Sequence, residues 1–370
     1  MDPKELLSTC KPAFEELMGK FGNRGASPGI LKDGKVDYLG LGKETTVPNE
    51  HTLYLISSMT KPILAVAVGI LVSSGAFQLD TPVEKIVRLH AICNHRNGAP
   101  LRVVDLLDHR SEFFSFRGAR NYNNLCYAIL AMVIEKTTGI SWAEFIHAEI
   151  FDPLGMARST ADMSRRKPDG NIADSYCAQI EGWEHNDNVD GDDDAAAVYR
   201  RYLPRVRGSN PVAVAQSVQP SRCSDTNDTD TIGAAAGIMS TVSDQLKFDH
   251  KYITLSINRP NTELTKLEAG FIVVLDHIDA CVQDPTCAYA GGWNPINLPW
   301  DQSQRAHCAD GENYGRLQGV AGLGIAELRD KRTPGRSSKE ILAEVNIWRG
   351  TTAATWSGLL HASSSSLTWA

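Results

Sequence analysis

Ser58-Met59-Thr60-Lys61 sets a hydroxyl and an amine three residues apart, one helical turn. A serine that forms a covalent ester needs a group to take its proton and donors for the oxyanion. With Ser58 at the start of a helix, Lys61 can approach the hydroxyl from the same face. The helix N-terminus adds a free N–H and a dipole that favours negative charge. A lysine beside a buried, apolar helix also has its charged form disfavoured by desolvation, which makes it a better base. Alone the pattern is weak, because S-x-x-K more often marks a serine N-cap followed by a surface lysine. A second constellation, Asn121-Tyr122-Asn123-Asn124, stands at another expected helix start. Tyr122 can relay a proton, and Asn124 can hydrogen-bond a substrate ester or amide, or the lysine. The alternative there is an Asn-rich helix cap.

Several elements must position these groups. Leu6, Leu7, Phe14, Leu17, Met18 and Phe21 recur at helical spacing, which predicts an amphipathic opening helix lying on a sheet. Asp33-Gly34 between Ile30-Leu31 and Val36-Asp37-Tyr38-Leu39 predicts a β-hairpin. Residues 58–74 read as a helix that is apolar nearly all round and therefore central, with Pro62 tolerated in its first turn. Further helices are expected at about 125–136, ending before Gly139, and at about 142–150, before Asp152-Pro153-Leu154-Gly155. Residues 165–230 carry an acidic run at 187–194 and little periodicity, and read as long surface loops. A calcium loop there would place Ala197 where a bidentate Glu is needed, so a solvated loop is the better reading. After Gly233 strand-like segments return, as in Phe271-Ile272-Val273-Val274-Leu275 and Ala343–Trp348.

In order along the chain stand Leu31-Lys32-Asp33-Gly34-Lys35-Val36, Leu55-Ile56-Ser57-Ser58-Met59-Thr60-Lys61-Pro62 and Gly69-Ile70-Leu71-Val72. They are followed by Leu106-Leu107-Asp108-His109-Arg110-Ser111, Tyr122-Asn123-Asn124, Val133–Gly139, Ile150–Met156 and Gly233–Thr241. This series resembles the serine β-lactamase and penicillin-recognising fold family, in its class C, esterase and fungal transesterase branch, over roughly residues 25–250. The resemblance implies that Ser58 is the acylated nucleophile, Lys61 its activating amine, and Tyr122 the general base and acid. Asn124 would contact substrate and lysine. The family's third motif, K-T-G or W-x-G on an inner strand, is matched best by Trp348-Arg349-Gly350. Lys331-Arg332-Thr333-Pro334-Gly335 is rejected, because Pro334 would break a sheet-interior ladder. Gly25-Ala26-Ser27-Pro28-Gly29 spells a nucleophile elbow, yet no strand precedes it and no helix follows, so it reads as a turn. His109 reads as a hydrogen-bonding residue and not as a base.

Length and charge bound the rest. At 370 residues with a net charge of −7 and no long basic block, nucleic acid is not an expected partner. The apolar run 62–72 is about half of what a bilayer needs, so no membrane span is expected. The N-terminus lacks the apolar core of an export signal, which makes cytoplasmic placement and free thiols the expectation for the eight cysteines. Cys281, Cys287, His307 and Cys308 lack paired C-x-x-C spacing, and neither a metal nor a cofactor is expected.

The expected architecture is therefore an α/β (α+β), β-lactamase/transpeptidase-like fold. Residues 1–61 and 231–370 form an antiparallel sheet flanked by helices, and 62–230 an inserted, mainly helical domain with long acidic loops. The expected function is acyl hydrolysis or acyl transfer on a small ester or polyketide-type substrate of fungal secondary metabolism. Catalysis falls to Ser58, Lys61 and Tyr122, and substrate binding to Asn124, Trp348 and Gly350. The Ser58 N–H and one N–H from the strand near Gly350 would hold the oxyanion. A carrier-protein-bound acyl donor is a candidate partner beside the small-molecule substrate. The alternative is a non-acylating member of the fold, a binding protein or an acid–base isomerase or cyclase using Lys61 and Tyr122.

Overall fold

The computed structural model describes residues 2–21, 25–32, 34–42, 47–88, 100–111, 122–162, 170–173, 175–177, 216–218, 229–283, 290–297, 305–309, 323–327, 347–349, 362–363 and 366–367. Helix α1 (Pro3–Phe21) opens the chain, and short strands β1 (Gly25–Ala26), β2 (Gly29–Lys32), β3 (Lys35–Tyr38), β4 (Leu41–Gly42) and β5 (Tyr54–Leu55) follow. The helices α2 (Thr60–Ser73), α3 (Val103–Leu107), α4 (Asn124–Thr138), α5 (Trp142–Ile146) and α6 (Asp152–Leu154) come next. The strand pair β6 (Ser175–Cys177) and β7 (Gln216–Val218) precedes α7 (Thr229–Ala236), β8 (Met239–Ser240), α8 (Val242–Ile257) and α9 (Lys266–Gln283). Strands β9 (Trp293–Asn297), β10 (Arg305–Ala309), β11 (Leu323–Glu327) and β12 (Ile347–Arg349) complete the main elements.

A six-stranded antiparallel sheet runs β3-β2-β12-β11-β10-β9, so both ends of the chain build it. Strands β2 and β3 pair as an antiparallel hairpin, with Lys32 opposite Lys35. Leu6, Leu7, Cys10, Phe14 and Met18 of α1 bury against Ile30 of β2, which fixes the helix on the sheet. Segment 25–29, read as a turn, instead runs as β1 followed directly by β2. Ser27 between them is buried and shares a 2.7 Å hydrogen bond with the Tyr54 hydroxyl, so it is no nucleophile elbow.

Helix α2 is the centre of the molecule, with every residue from Thr60 to Leu71 buried. Each of its enclosed Ile, Leu and Val side chains contributes ~1.5–3 kcal/mol through burial. Helix α9 lies against it so closely that a Cβ on Gly69 would stand 2.3 Å from the Gly270 carbonyl oxygen. Only two glycines allow that crossing. Among the described residues no helix is long and apolar enough to cross a membrane.

Helix α9 overturns one expectation, since it contains the 271–275 segment read as a strand. Phe271, Val274, Leu275, Ile278 and Cys281 are buried at helical spacing, and a capping box starts the helix. Thr265 Oγ1 accepts from the Glu268 N–H (3.2 Å), and Glu268 Oε2 accepts from the Thr265 N–H (3.0 Å). The β-branched composition outvoted that period in the sequence reading. Segment 229–257 is likewise mainly helical, with α7 and α8 on either side of β8. Of the expected strand 343–348, residues 347–348 lie in β12 and 343–346 fall outside the described residues. Most of the expected 165–230 loops, including the acidic run, also fall outside them.

The Glu268 carboxylate is held at about 2, below its ordinary 4.5, by the Thr265 N–H, Lys251 and the Thr265 hydroxyl. A folded-state value below the unfolded one means stability that is complete above about 4.5 and lost as pH falls toward 2. Glu268→Gln is therefore expected to cost about 1 kcal/mol at pH 7, with the gap to wild type closing toward pH 2. Denaturant unfolding at both ends of that range checks it.

Candidate active site

Strands β5 and β8 pair with Tyr54 opposite Ser240 and Leu55 opposite Met239, and the pairing carries on into the site. Ile56 donates its N–H to the Ile238 carbonyl (3.0 Å), and Ile238 donates to the Thr60 hydroxyl (3.2 Å). These bonds pin the entry of α2 to the segment after α7. Ser57 meets the constraint with φ +49, a left-handed conformation that costs a non-glycine residue ~1–2 kcal/mol. A 3-10 turn over Ser57–Met59 then presents Ser58 half-buried, and α2 proper begins at Thr60, two residues later than a helix starting at Ser58.

Lys61, one turn on, is 0% exposed, and its ammonium position is crowded with oxygen. Nζ lies 3.0 Å from Ser58 Oγ, 2.9 Å from Asn124 Oδ1 and 3.0 Å from the Ala235 carbonyl, and it also hydrogen-bonds the Tyr122 hydroxyl. Ser58 Oγ and Tyr122 Oη are themselves 2.6 Å apart. Four oxygens surround a nitrogen that has three directed positions in either charge state. Asn124 Oδ1 and the Ala235 carbonyl only accept, and so claim two N–H groups. The third position points between two hydroxyls, each of which can accept from an ammonium or donate to an amine lone pair. The arrangement is thus competent to pass a proton among Ser58, Lys61 and Tyr122.

Tyr122 is fixed by the start of α4. Asn123 caps that helix by accepting the Leu125 N–H (2.9 Å), and its own N–H donates to His109 Nδ1 (3.2 Å). The His109 ring packs 4.5 Å from that of Tyr122 and 5.3 Å from that of Tyr127, centroid to centroid. His109 reaches this place through φ +54 just after α3 and is completely buried. It positions the phenol. Cys126, two residues beyond Asn124, has its thiol pushed up to about 11 by burial, with Ser111 and the Lys61 charge opposing, and so stays protonated.

The structure thus gathers Ser58, Lys61, Tyr122 and Asn124 at one point. Trp348 lies in β12, its backbone opposite Ile30 of β2 and Gly324 of β11, and Gly350 falls outside the described residues. The Ala235 carbonyl escaped the sequence reading, because a backbone acceptor has no residue-type signature. The only hint was the small-residue run Gly233-Ala234-Ala235-Ala236-Gly237, which lets α7 approach the lysine. Gly291-Gly292 was also missed, although Gly292 lies directly against Lys61 and Pro62.

Comparison with known proteins bears on the family and the fold. Residues 11–278 match the family described as Beta-lactamase. Esterase EstB of Burkholderia gladioli is 26% identical over 202 residues, which are 42% of this chain and 52% of that protein. A penicillin-binding protein of Bacillus subtilis is 26% identical over 147 residues, 32% of this chain and 33% of the relative. The chain thus spans a third to about half of the curated relatives it matches. In fold it is similar to a class C beta lactamase from Rhodobacter sphaeroides, with a TM-score of 0.59 at 16% identity over 94% of both chains. With residues 11–278, most of the chain, matched and with the antiparallel sheet, central helix and serine–lysine–tyrosine cluster in place, the chain belongs to the Beta-lactamase family.

Proposed function

We propose that this chain is a serine acyl hydrolase or acyltransferase acting on a small ester or polyketide-type substrate through an acyl-enzyme on Ser58. The observation that carries the reading is the triangle of Ser58 Oγ, Lys61 Nζ and Tyr122 Oη, all within hydrogen-bonding reach. As Ser58 attacks the acyl carbonyl, its proton passes to the Lys61 amine, directly or by way of Tyr122. The tetrahedral adduct collapses when Tyr122 returns a proton to the departing alkoxide. Water or an alcohol then enters by the same route in reverse, and this acceptor separates hydrolase from transferase. Asn124 orients Lys61, and the similarity to an esterase supports an ester as the acyl donor. The acyl group would arrive on a small molecule or on a carrier protein.

The test is intact mass of the wild-type protein after exposure to a fluorophosphonate and to short p-nitrophenyl esters, followed by peptide mapping. One adduct per chain on the Ser58 peptide is expected. A folded protein that takes no label, or takes it elsewhere, rejects the acyl-enzyme and leaves binding or acid–base isomerisation at the same groups.

A further inference from the structure

Apart from the acyl-transfer cluster, the described residues bring together a second set of chemically capable side chains. Asp108 directly follows α3, while His277 and Cys281 stand four residues apart on one face of α9. His277 Nε2 lies 2.8 Å from Asp108 Oδ1, and Cys281 Sγ lies 3.9 Å from Asp108 Oδ2 and 3.8 Å from His277 Nε2. One ligand atom from each of the three lies within 4.8 Å of the others. The group is enclosed, with the Asp108 and His277 side chains 3% and 10% exposed and Cys281 buried.

A tetrahedral zinc ion with bonds of ~2.0 Å to nitrogen and oxygen and ~2.3 Å to sulfur holds its ligand atoms ~3.3–3.5 Å apart. His277 approaches one Asp108 oxygen at 2.8 Å and Cys281 the other at 3.9 Å, while one ligand atom from each lies within 4.8 Å of the rest, so shifts of about an ångström would bring three donors onto one ion. The donor set of one thiolate, one imidazole and one carboxylate suits a borderline-soft cation and not calcium or magnesium, which take all-oxygen shells. The two anionic ligands would offset the ion's two positive charges inside the protein.

From this we infer that Asp108, His277 and Cys281 form a binding site for one zinc-class divalent ion, with a fourth position left to water. The sequence reading weighed Cys281 with Cys287, His307 and Cys308. The fold instead joins it to a neighbour four residues away and a carboxylate 173 residues upstream. The ion would clamp the end of α3 to α9. Because Asp108 precedes His109, which packs on Tyr122, the clamp would stiffen the support of the phenol without touching substrate.

The test uses the full chain, stripped with a chelator, dialysed against zinc or cobalt and assayed for metal by mass spectrometry. One ion per chain is expected, with a thiolate-to-cobalt charge-transfer band and a rise of a few degrees in thermal midpoint at saturating zinc. Cys281→Ser should abolish the band and the shift. Independently of any variant, zinc should slow alkylation of Cys281 in the wild type, read peptide by peptide. Absence of stoichiometric binding by the folded wild type would leave a hydrogen-bonded Asp–His pair beside a thiol and overturn the proposal. Binding that persists in Cys281→Ser and leaves the alkylation of Cys281 unchanged would overturn it equally, by placing the ion elsewhere.

Discussion

Lys61→Met is expected to lower the rate of Ser58 acylation at least about a thousandfold while leaving the protein folded. Methionine matches the length of the lysine stem and suits a position that is 0% exposed, so the packing of α2 survives. What disappears is the nitrogen that four oxygens converge on. Asn124 and the Ala235 carbonyl lose a donor each, at about 1–3 kcal/mol apiece, and the Ser58 proton loses its acceptor. Ser58→Ala should cost as much, and the double variant no more than either single one, because groups that act as a unit are not additive. Burst kinetics with a p-nitrophenyl ester, beside circular dichroism of each variant, make the comparison. A Lys61→Met protein that acylates within tenfold of wild type would remove the lysine from the mechanism. A Ser58→Ala protein that keeps its full turnover would remove the covalent intermediate as well.

What the sequence disclosed about this site depended on distance along the chain. Ser58 and Lys61 are one turn apart, so their meeting follows from local helical geometry and can be read without a fold. Tyr122 reaches the same lysine across 61 residues and Asn124 across 63; their residue types at a helix start make them candidates, and the order of motifs shared with a family is what joins them to Ser58 and Lys61. The Ala235 carbonyl, 174 residues away, carries no side-chain signal at all. The same gradient holds for the fold. The β2–β3 hairpin and helices α2 and α4 announce themselves through turn residues, apolar content and length. Helix α9 was misread because Ile272-Val273-Val274 weighs toward strand, even though Thr265 and Glu268 spell a capping box before it. Helix α9 is also where packing overrides composition most plainly. It supplies Gly270 to the crossing with α2 and His277 and Cys281 to the cluster with Asp108, and neither role is encoded in hydrophobicity.

Gly292→Ala is the substitution expected to do the most damage for the fewest atoms. Gly292 has φ +91, and a Cβ there would lie 2.6 Å from Pro62 N, 2.7 Å from Pro62 Cα and 2.9 Å from the Lys61 carbonyl carbon. All three are backbone atoms of the first turn of α2, which cannot turn aside as a flexible side chain would. The loop cannot retreat either. Trp293 is completely buried and stacks on Tyr252 at 4.5 Å, and Ala290 and Trp293 exchange both backbone hydrogen bonds around the glycine pair. The added methyl must therefore push the turn that carries Lys61 and follows Ser58. A loss of about 3 kcal/mol in stability is expected from overpacking and left-handed strain together. A misplacement approaching 1 Å should also cost about a hundredfold in acylation rate. Gly75→Ala separates the two causes, since Gly75 has φ +78 with nothing within 4 Å of an added Cβ, and should lose only the ~1 kcal/mol of backbone strain. Denaturant unfolding and burst kinetics on both variants decide the matter. Equal losses at the two glycines would show that the α2 entry yields freely, and that the geometry of Ser58 and Lys61 does not depend on the loop pressed against it.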